Sequence, residues 1–143
     1  MHIDNINCLS PAVRAELERQ MKAEELRRKG KPQPVPKSEF DSELEADFYH
    51  SEVLPKIQSG QIVGCELHKT FLLLPPSEFC GIKLHKAEYT PDFFLTYANG
   101  LVEVVETKSK AVRKLQKSYV YRRRLFIDKY ARPNGWTFRE IVT

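Results

Sequence analysis

The apolar positions of this chain change spacing along its length. Between Ala12 and Gly30 they are sparse and helical in period: Val13, Leu17, Met21 and Leu26, set among Ala, Glu, Arg and Lys, all good helix formers. Ser10-Pro11 supplies an N-cap and a first-position proline for that helix. So thin a stripe predicts a surface helix, one that mediates oligomerisation or contacts a substrate. Gly30-Lys31-Pro32-Gln33-Pro34-Val35-Pro36-Lys37 then reads as an extended, semi-rigid linker. The spacing therefore predicts an N-terminal helical arm with its linker over 1–37 and a folded domain over 38–143.

A second helical pattern runs from Asp41 or Ser42, either of which could cap it, to about Gln58, with Leu44, Phe48, Leu54 and Ile57 on its inner face. Pro55 predicts a kink or break after Leu54. The apolar residues then fall into short runs. Ile62–Leu67 and Thr70–Leu74 read as strands, the second of them buried, and Pro75-Pro76-Ser77-Glu78 reads as a turn. Residues 80–89 form a lead-in or short strand. Tyr89-Thr90-Pro91-Asp92-Phe93-Phe94-Leu95 and Val102-Glu103-Val104-Val105-Glu106-Thr107-Lys108 flank Tyr97-Ala98-Asn99-Gly100, and the Asn-Gly pair is a hairpin signal. Pro91 predicts that its strand starts at a sheet edge or bulge. Val112, Leu115, Tyr119, Phe126 and Tyr130 give a long helix, stopped by Arg132-Pro133-Asn134-Gly135, and 136–142 alternate as a last strand. This order predicts an α/β fold, a mixed central β-sheet flanked by helices.

Composition narrows the classes. A chain of 143 residues that is 41% apolar can bury a real core. No apolar run approaches the roughly 20 residues of a membrane span, and the start lacks the basic and apolar regions of a secretory signal. A soluble, cytoplasmic protein without membrane contact is expected. Cys8, Cys65 and Cys80 form no Cys-x-x-Cys pair, and the histidines complete no zinc pattern; buried or free thiols are expected. The net charge of +4 is modest, but ten basic side chains and only one acid, Asp128, lie between Lys108 and Arg132. Lys110, Arg113, Lys114, Lys117, Arg122, Arg123 and Arg124 are the candidate contacts to a polyanion, a nucleic acid above all.

The chemistry gathers on the hairpin. Strand side chains alternate, so Glu106 and Lys108 project to one side, and pairing of the two strands brings Asp92 near them. Two carboxylates suit a hard divalent cation, Mg²⁺ or Mn²⁺, and the backbone carbonyl of Thr107 could add a third oxygen ligand. Lys108 could orient or help deprotonate a water, or offset phosphate charge. Such a set fits phosphodiester hydrolysis.

These blocks resemble the signature of the PD-(D/E)XK nuclease superfamily: Pro91-Asp92, then Glu106-Thr107-Lys108, preceded by a helix carrying a glutamate in Phe40-Asp41-Ser42-Glu43-Leu44-Glu45-Ala46. Within it the chain is similar to small phage and prophage endonucleases, including the phage endonuclease I type of Holliday-junction resolvase. The resemblance covers about residues 38–142. It implies a restriction-endonuclease-like core with the site at one edge of its sheet, and metal-dependent, structure-selective cleavage of branched DNA in a bacterial host cell by a frequently dimeric enzyme. It implies Asp92 and Glu106 as metal-binding acids, Lys108 as the catalytic lysine and Glu45, with Glu43 as fallback, as the helix carboxylate. His68 falls near a position where related chains often carry glutamine, which could set it beside the substrate, but it reads best as a lone exposed histidine. Ser109 stands where many relatives have glycine. Two other readings stay open: a nucleic-acid-binding module that does not cut, and a nuclease subunit active only in a larger assembly.

Overall fold

Asn99-Gly100 turns the chain where the spacing predicted. Gly100 takes φ +88°, a left-handed value that costs glycine little. Its N–H donates to the Tyr97 carbonyl at 3.0 Å, and Leu101 N–H donates to Asn99 Oδ1 at 3.1 Å. The hairpin's arms are β6 (Phe93–Tyr97) and β7 (Val102–Lys108), paired antiparallel with Phe93 opposite Val105 and Thr96 opposite Val102. β1 (Ile62–Leu67) pairs antiparallel with β6 on one side, and β8 (Thr137–Val142) pairs parallel with β7 on the other. The result is a four-stranded mixed sheet in the order β1-β6-β7-β8. The computed structural model describes residues 9–110 and 116–143. Cys8, Val112, Arg113, Lys114 and Leu115 lie outside the described residues.

β6 is an interior strand, which corrects the edge or bulge expected from Pro91. The proline precedes the first paired residue, so no ladder bond is asked of its missing N–H. Two smaller antiparallel pairs branch from the sheet: β2 (Phe71–Leu74) with β5 (Ala87–Tyr89), and β3 (Ser77–Phe79) with β4 (Ile82–Leu84). Two expectations change here. Leu72 and Leu74 are exposed while Phe71 and Leu73 are buried, so β2 is buried on one face only. Ser77-Glu78 belongs to a strand, and the turn lies at Cys80-Gly81, both at positive φ as a two-residue hairpin loop requires.

The helices cover the sheet with opposite alternations of β6 and β7. Phe93, Leu95 and Val105 pack with Phe48, Tyr49, Val53 and Ile57. Those side chains come from α2 (Glu43–Phe48), a π-helical turn (Tyr49–Val53) and α3 (Leu54–Gln58). The predicted break at Pro55 does not occur. The preceding turn widens, so that Leu54 N–H bonds the Tyr49 carbonyl, and the chain stays helical through the proline. On the other face Phe94, Val102 and Val104 pack with Phe71, Tyr89, Tyr119 and Phe126. Tyr119 and Phe126 come from α4 (Lys117–Phe126), which passes through a second π-helical turn (Ile127–Ala131) into α5 (Arg132–Asn134).

α1 (Pro11–Arg28) lies against β1 and α5. Ser10 caps it by accepting from Val13 N–H at 3.4 Å, and Ala23 is fully buried. Arg19 donates to the Gly135 carbonyl and Gln20 to the Asn99 carbonyl, each at 2.8 Å. Gly64 makes the approach possible, since a Cβ there would stand 2.7 Å from Leu26 Cδ1. The sparse stripe thus works through small side chains and polar ties rather than a broad apolar face. No helix among the described residues is long and apolar enough to cross a membrane.

Candidate active site

The acids and the lysine meet where β6 begins and β7 ends. Asp92 stands just ahead of β6. Its Oδ2 accepts two hydrogen bonds at 2.7 Å, from the N–H and the hydroxyl of Thr107. Thr107 lies between Glu106 and Lys108, so this double contact fixes Asp92 against the other two site residues. Glu106 is buried, and its Oε2 accepts from Tyr89 Oη at 2.7 Å. Lys108 Nζ lies 3.3 Å from Glu106 Oε1 and donates to Gln116 Oε1 at 2.7 Å. The same ammonium sits 4.7 Å from the centre of the Tyr119 ring. Glu106 and Lys108 do project to one side, as alternation predicted.

Glu45 arrives from α2. Ser42, not Asp41, is the N-cap, its Oγ accepting from Glu45 N–H at 3.2 Å. This points the Glu45 side chain back toward the strand ends, where it is 1% exposed. Its Oε1 lies 2.6 Å from His68 Nε2, and Asp41 Oδ2 lies 3.4 Å from the same nitrogen. His68 follows β1 in a left-handed conformation, φ +52°, and its N–H donates to the Asp92 carbonyl at 3.2 Å. The expectation of a lone exposed histidine is therefore corrected: His68 is half-buried and sits between two carboxylates. Sequence reading also missed Asp41 and Tyr89, which carry no spacing signal of their own; Asp41 needed the choice of Ser42 as cap to be released toward His68.

The electrostatics tie the groups together. Glu45 is pushed up to about 6 by burial and then by the charge of Asp92, against the lowering effects of His68 and of the Asp41 backbone amide. Glu106 is pushed up to about 7, again by burial first and Asp92 second, despite the Tyr89 hydrogen bond and Lys108. Asp92 is thus the charge felt by both buried acids. The Tyr89 hydroxyl is driven well above its ordinary value by burial and by Glu106, so it stays a donor.

The predicted ligands Asp92, Glu106 and Glu45 are neighbours, but they are not the trio drawn together here. Among the described residues the Asp, Glu and His side chains close enough to share one ion are Asp41, Glu45 and His68, with ligand atoms within 4.8 Å of one another. Asp92 turns one oxygen to Thr107 and Glu106 turns one to Tyr89. The donor set still fits a divalent cation: oxygen-rich, and holding buried carboxylates whose repulsion a cation would relieve. Glu43 lies in the first turn of α2 and is exposed, so Glu45 is the helix acid at the site.

The basic residues divide. Lys110 and Lys117 are exposed beside the site. Arg122 is half-buried. Arg123 is bound to Glu140 on β8 at 2.6 Å and stacks on Tyr119, and Arg124 is bound to Asp128 at 2.6 Å. A cavity of about 620 Å³ lies between α1, the proline-rich linker, β1 and β6, and none of Glu45, Asp92, Glu106 and Lys108 lines it.

A family described as "Protein of unknown function (DUF1064)" matches residues 27–141. The chain belongs to that family. No curated protein and no solved structure matches it. The DUF1064 match begins at the end of α1, takes in every site residue, and covers the sheet up to Ile141, one residue short of the end of β8.

Proposed function

We propose that this DUF1064 protein is a metal-dependent DNA endonuclease that hydrolyses phosphodiester bonds, with a restriction-endonuclease-like core. The observation that carries the reading is the meeting of Asp92, Glu106 and Lys108 at one end of β6 and β7, with Glu45 supplied by α2. Two carboxylates beside an ammonium suit a polyanionic substrate held through a cation, and they would repel phosphate without one.

Asp92, Glu106, Glu45 and the Thr107 carbonyl are the groups that would hold Mg²⁺ or Mn²⁺. The cation supplies Lewis-acid stabilisation of charge that builds on the phosphate oxygens. The protein's own contribution is positional. Thr107 holds Asp92 by two hydrogen bonds, and Tyr89 holds one oxygen of Glu106 and leaves the other toward Lys108. Tyr119 and Gln116 hold the Lys108 ammonium in place to orient a water or to meet the developing charge. Exposed Lys110 and Lys117 are placed to guide the DNA backbone.

The structural preference we assign is branched DNA such as a Holliday junction, cut by a homodimer that supplies two centres, in the cytoplasm of a phage-infected or prophage-carrying bacterium. One observation favours a second reading, a nuclease subunit of a larger assembly. The β3–β4 hairpin leaves Phe79, Ile82 and Leu84 exposed on one face, with Glu78 and Lys83 on the other. Purified protein with Mg²⁺ or Mn²⁺, offered junction, flap, duplex and single-stranded DNA and RNA, tests both. Cleavage of DNA that is lost in Asp92→Asn is expected. No cleavage of any substrate removes the free-enzyme reading.

A further inference from the structure

Asp41, Glu45 and His68 were not selected as a group by any motif, yet they converge from α2's capping segment, α2 itself and the end of β1. Their ligand atoms lie within 4.8 Å of one another. Two ligands at about 2.1 Å from one octahedral ion, in neighbouring positions, lie roughly 3 Å apart. The 2.6 Å and 3.4 Å separations of His68 Nε2 from Glu45 Oε1 and Asp41 Oδ2 bracket that spacing.

A second, independent observation points to a ligand. Glu45 is 1% exposed, and neither its Oε1 nor His68 Nε2 has an aligned hydrogen-bond partner, although the two atoms face each other. An ordinary His–Glu hydrogen bond would satisfy both. Two buried polar atoms that stand 2.6 Å apart without an aligned hydrogen bond, with an exposed Asp41 carboxylate 3.4 Å from the imidazole nitrogen, fit an ion better than a pair.

We propose that Asp41, Glu45 and His68 form a second divalent-cation site beside the Asp92–Glu106 pair, and that its imidazole makes it take Mn²⁺ in preference to Mg²⁺. Mg²⁺ seeks an all-oxygen shell, whereas Mn²⁺ accepts a nitrogen ligand more readily. Three protein ligands leave positions for water or for a phosphate oxygen. The His68 N–H bond to the Asp92 carbonyl holds the imidazole next to the first site. The site stands on these three side chains; a part in DNA cleavage would rest on the nuclease reading.

The test is Mn²⁺ binding to the untagged full chain, followed by pulsed electron paramagnetic resonance, which detects an imidazole nitrogen bound to the ion. Nitrogen coupling is expected in the unmodified protein and in His50→Gln and His85→Gln, and is lost in His68→Gln. Asp41→Asn, at an exposed position, weakens Mn²⁺ binding at the nitrogen-coupled site by at least the roughly 10-fold typical of disturbing a metal's surroundings, with the fold unchanged by circular dichroism. Absence of nitrogen coupling in the unmodified protein, or its survival in His68→Gln, overturns the proposal. The Asp92→Asn/Glu106→Gln variant separates the two readings, because it keeps the nitrogen-coupled ion while any cleavage disappears. A chain that shows the coupling but cuts nothing retains this site and loses the nuclease assignment.

Discussion

Residues 43–58 and 117–134 solve one backbone problem in the same way. Each runs as α-helix into a π-helical turn, Tyr49–Val53 or Ile127–Ala131, and each then accommodates a proline, Pro55 or Pro133, without stopping. The wider turn moves the carbonyl that the proline ring would otherwise strike. What the two segments carry is opposite. The first brings an acid to the site, Glu45, buried in its N-terminal turn. The second carries lysine and arginine, and spends several of them internally: Arg123 on Glu140, and both Arg124 and Arg132 on Asp128. Burial decides the outcome. A carboxylate forced out of water creates a demand for positive charge, whereas a cation on a half-exposed helix meets the nearest acid of its own chain. The acidic wall therefore creates a demand for a cation, whereas part of the basic wall is already neutralised within the chain.

The strongest way to break that contrast is at the acidic side. Asp92→Asn should lower DNA cleavage by about 10²–10³-fold or more while leaving DNA affinity and the unfolding temperature nearly unchanged; cleavage at the unmodified rate would remove Asp92 from the site. Next comes the internal part of the basic wall. Arg123→Ala takes a charged hydrogen-bond partner from Glu140, and should cost about 1–3 kcal/mol in denaturant unfolding. An unchanged unfolding midpoint would show that this arginine is not structural.

The exposed part of the same wall should respond differently. Lys110→Ala with Lys117→Ala should leave stability alone and reduce the slope of log affinity for DNA against log salt by about 0.9 per phosphate contact removed. An unaltered slope, measured by fluorescence anisotropy over a salt series, would take both lysines out of the interface. The smallest effect expected is on stability against pH. Glu45 and Glu106 have folded-state values raised to about 6 and about 7, above the 4.5 of an ordinary glutamate. Their contribution is fully present below the unfolded value and is lost as pH rises through the folded values. The cation-free protein should therefore lose thermal stability between about pH 5 and pH 8, and Mg²⁺ or Mn²⁺ should restore more of it at the upper end. A melting temperature that rises over this range without metal would contradict the burial of these acids.

The four strands of the sheet were legible because each is a run of alternating or continuous apolar residues bounded by turn residues; Asn99-Gly100 and Asn134-Gly135 marked the ends. Asp92, Glu106 and Lys108 were legible because strand alternation and one hairpin suffice to bring them together. Pro55 misled because the rule against proline assumes an α-helical register, and the π-helical turn escapes it. The β3–β4 hairpin was hidden because its turn uses Cys80 at φ +50°, where Gly or Asn would have announced it. His68 and Asp41 were out of reach for another reason. Their meeting depends on how α2 packs over the end of β1, a tertiary fact with no period in the sequence.

Arg139 on β8 grips both oxygens of Glu52 in the first π-helical turn, at 2.8 Å each, across 87 residues of chain. That clasp joins the last strand to the helix that delivers Glu45. During synthesis the hairpin can form as soon as residue 108 has emerged, but the helix is not clasped until residue 139 has been made. On the nuclease reading proposed above, that order would delay the framing of the site: a chain ending before Arg139 carries the acids without the clasp to Glu52.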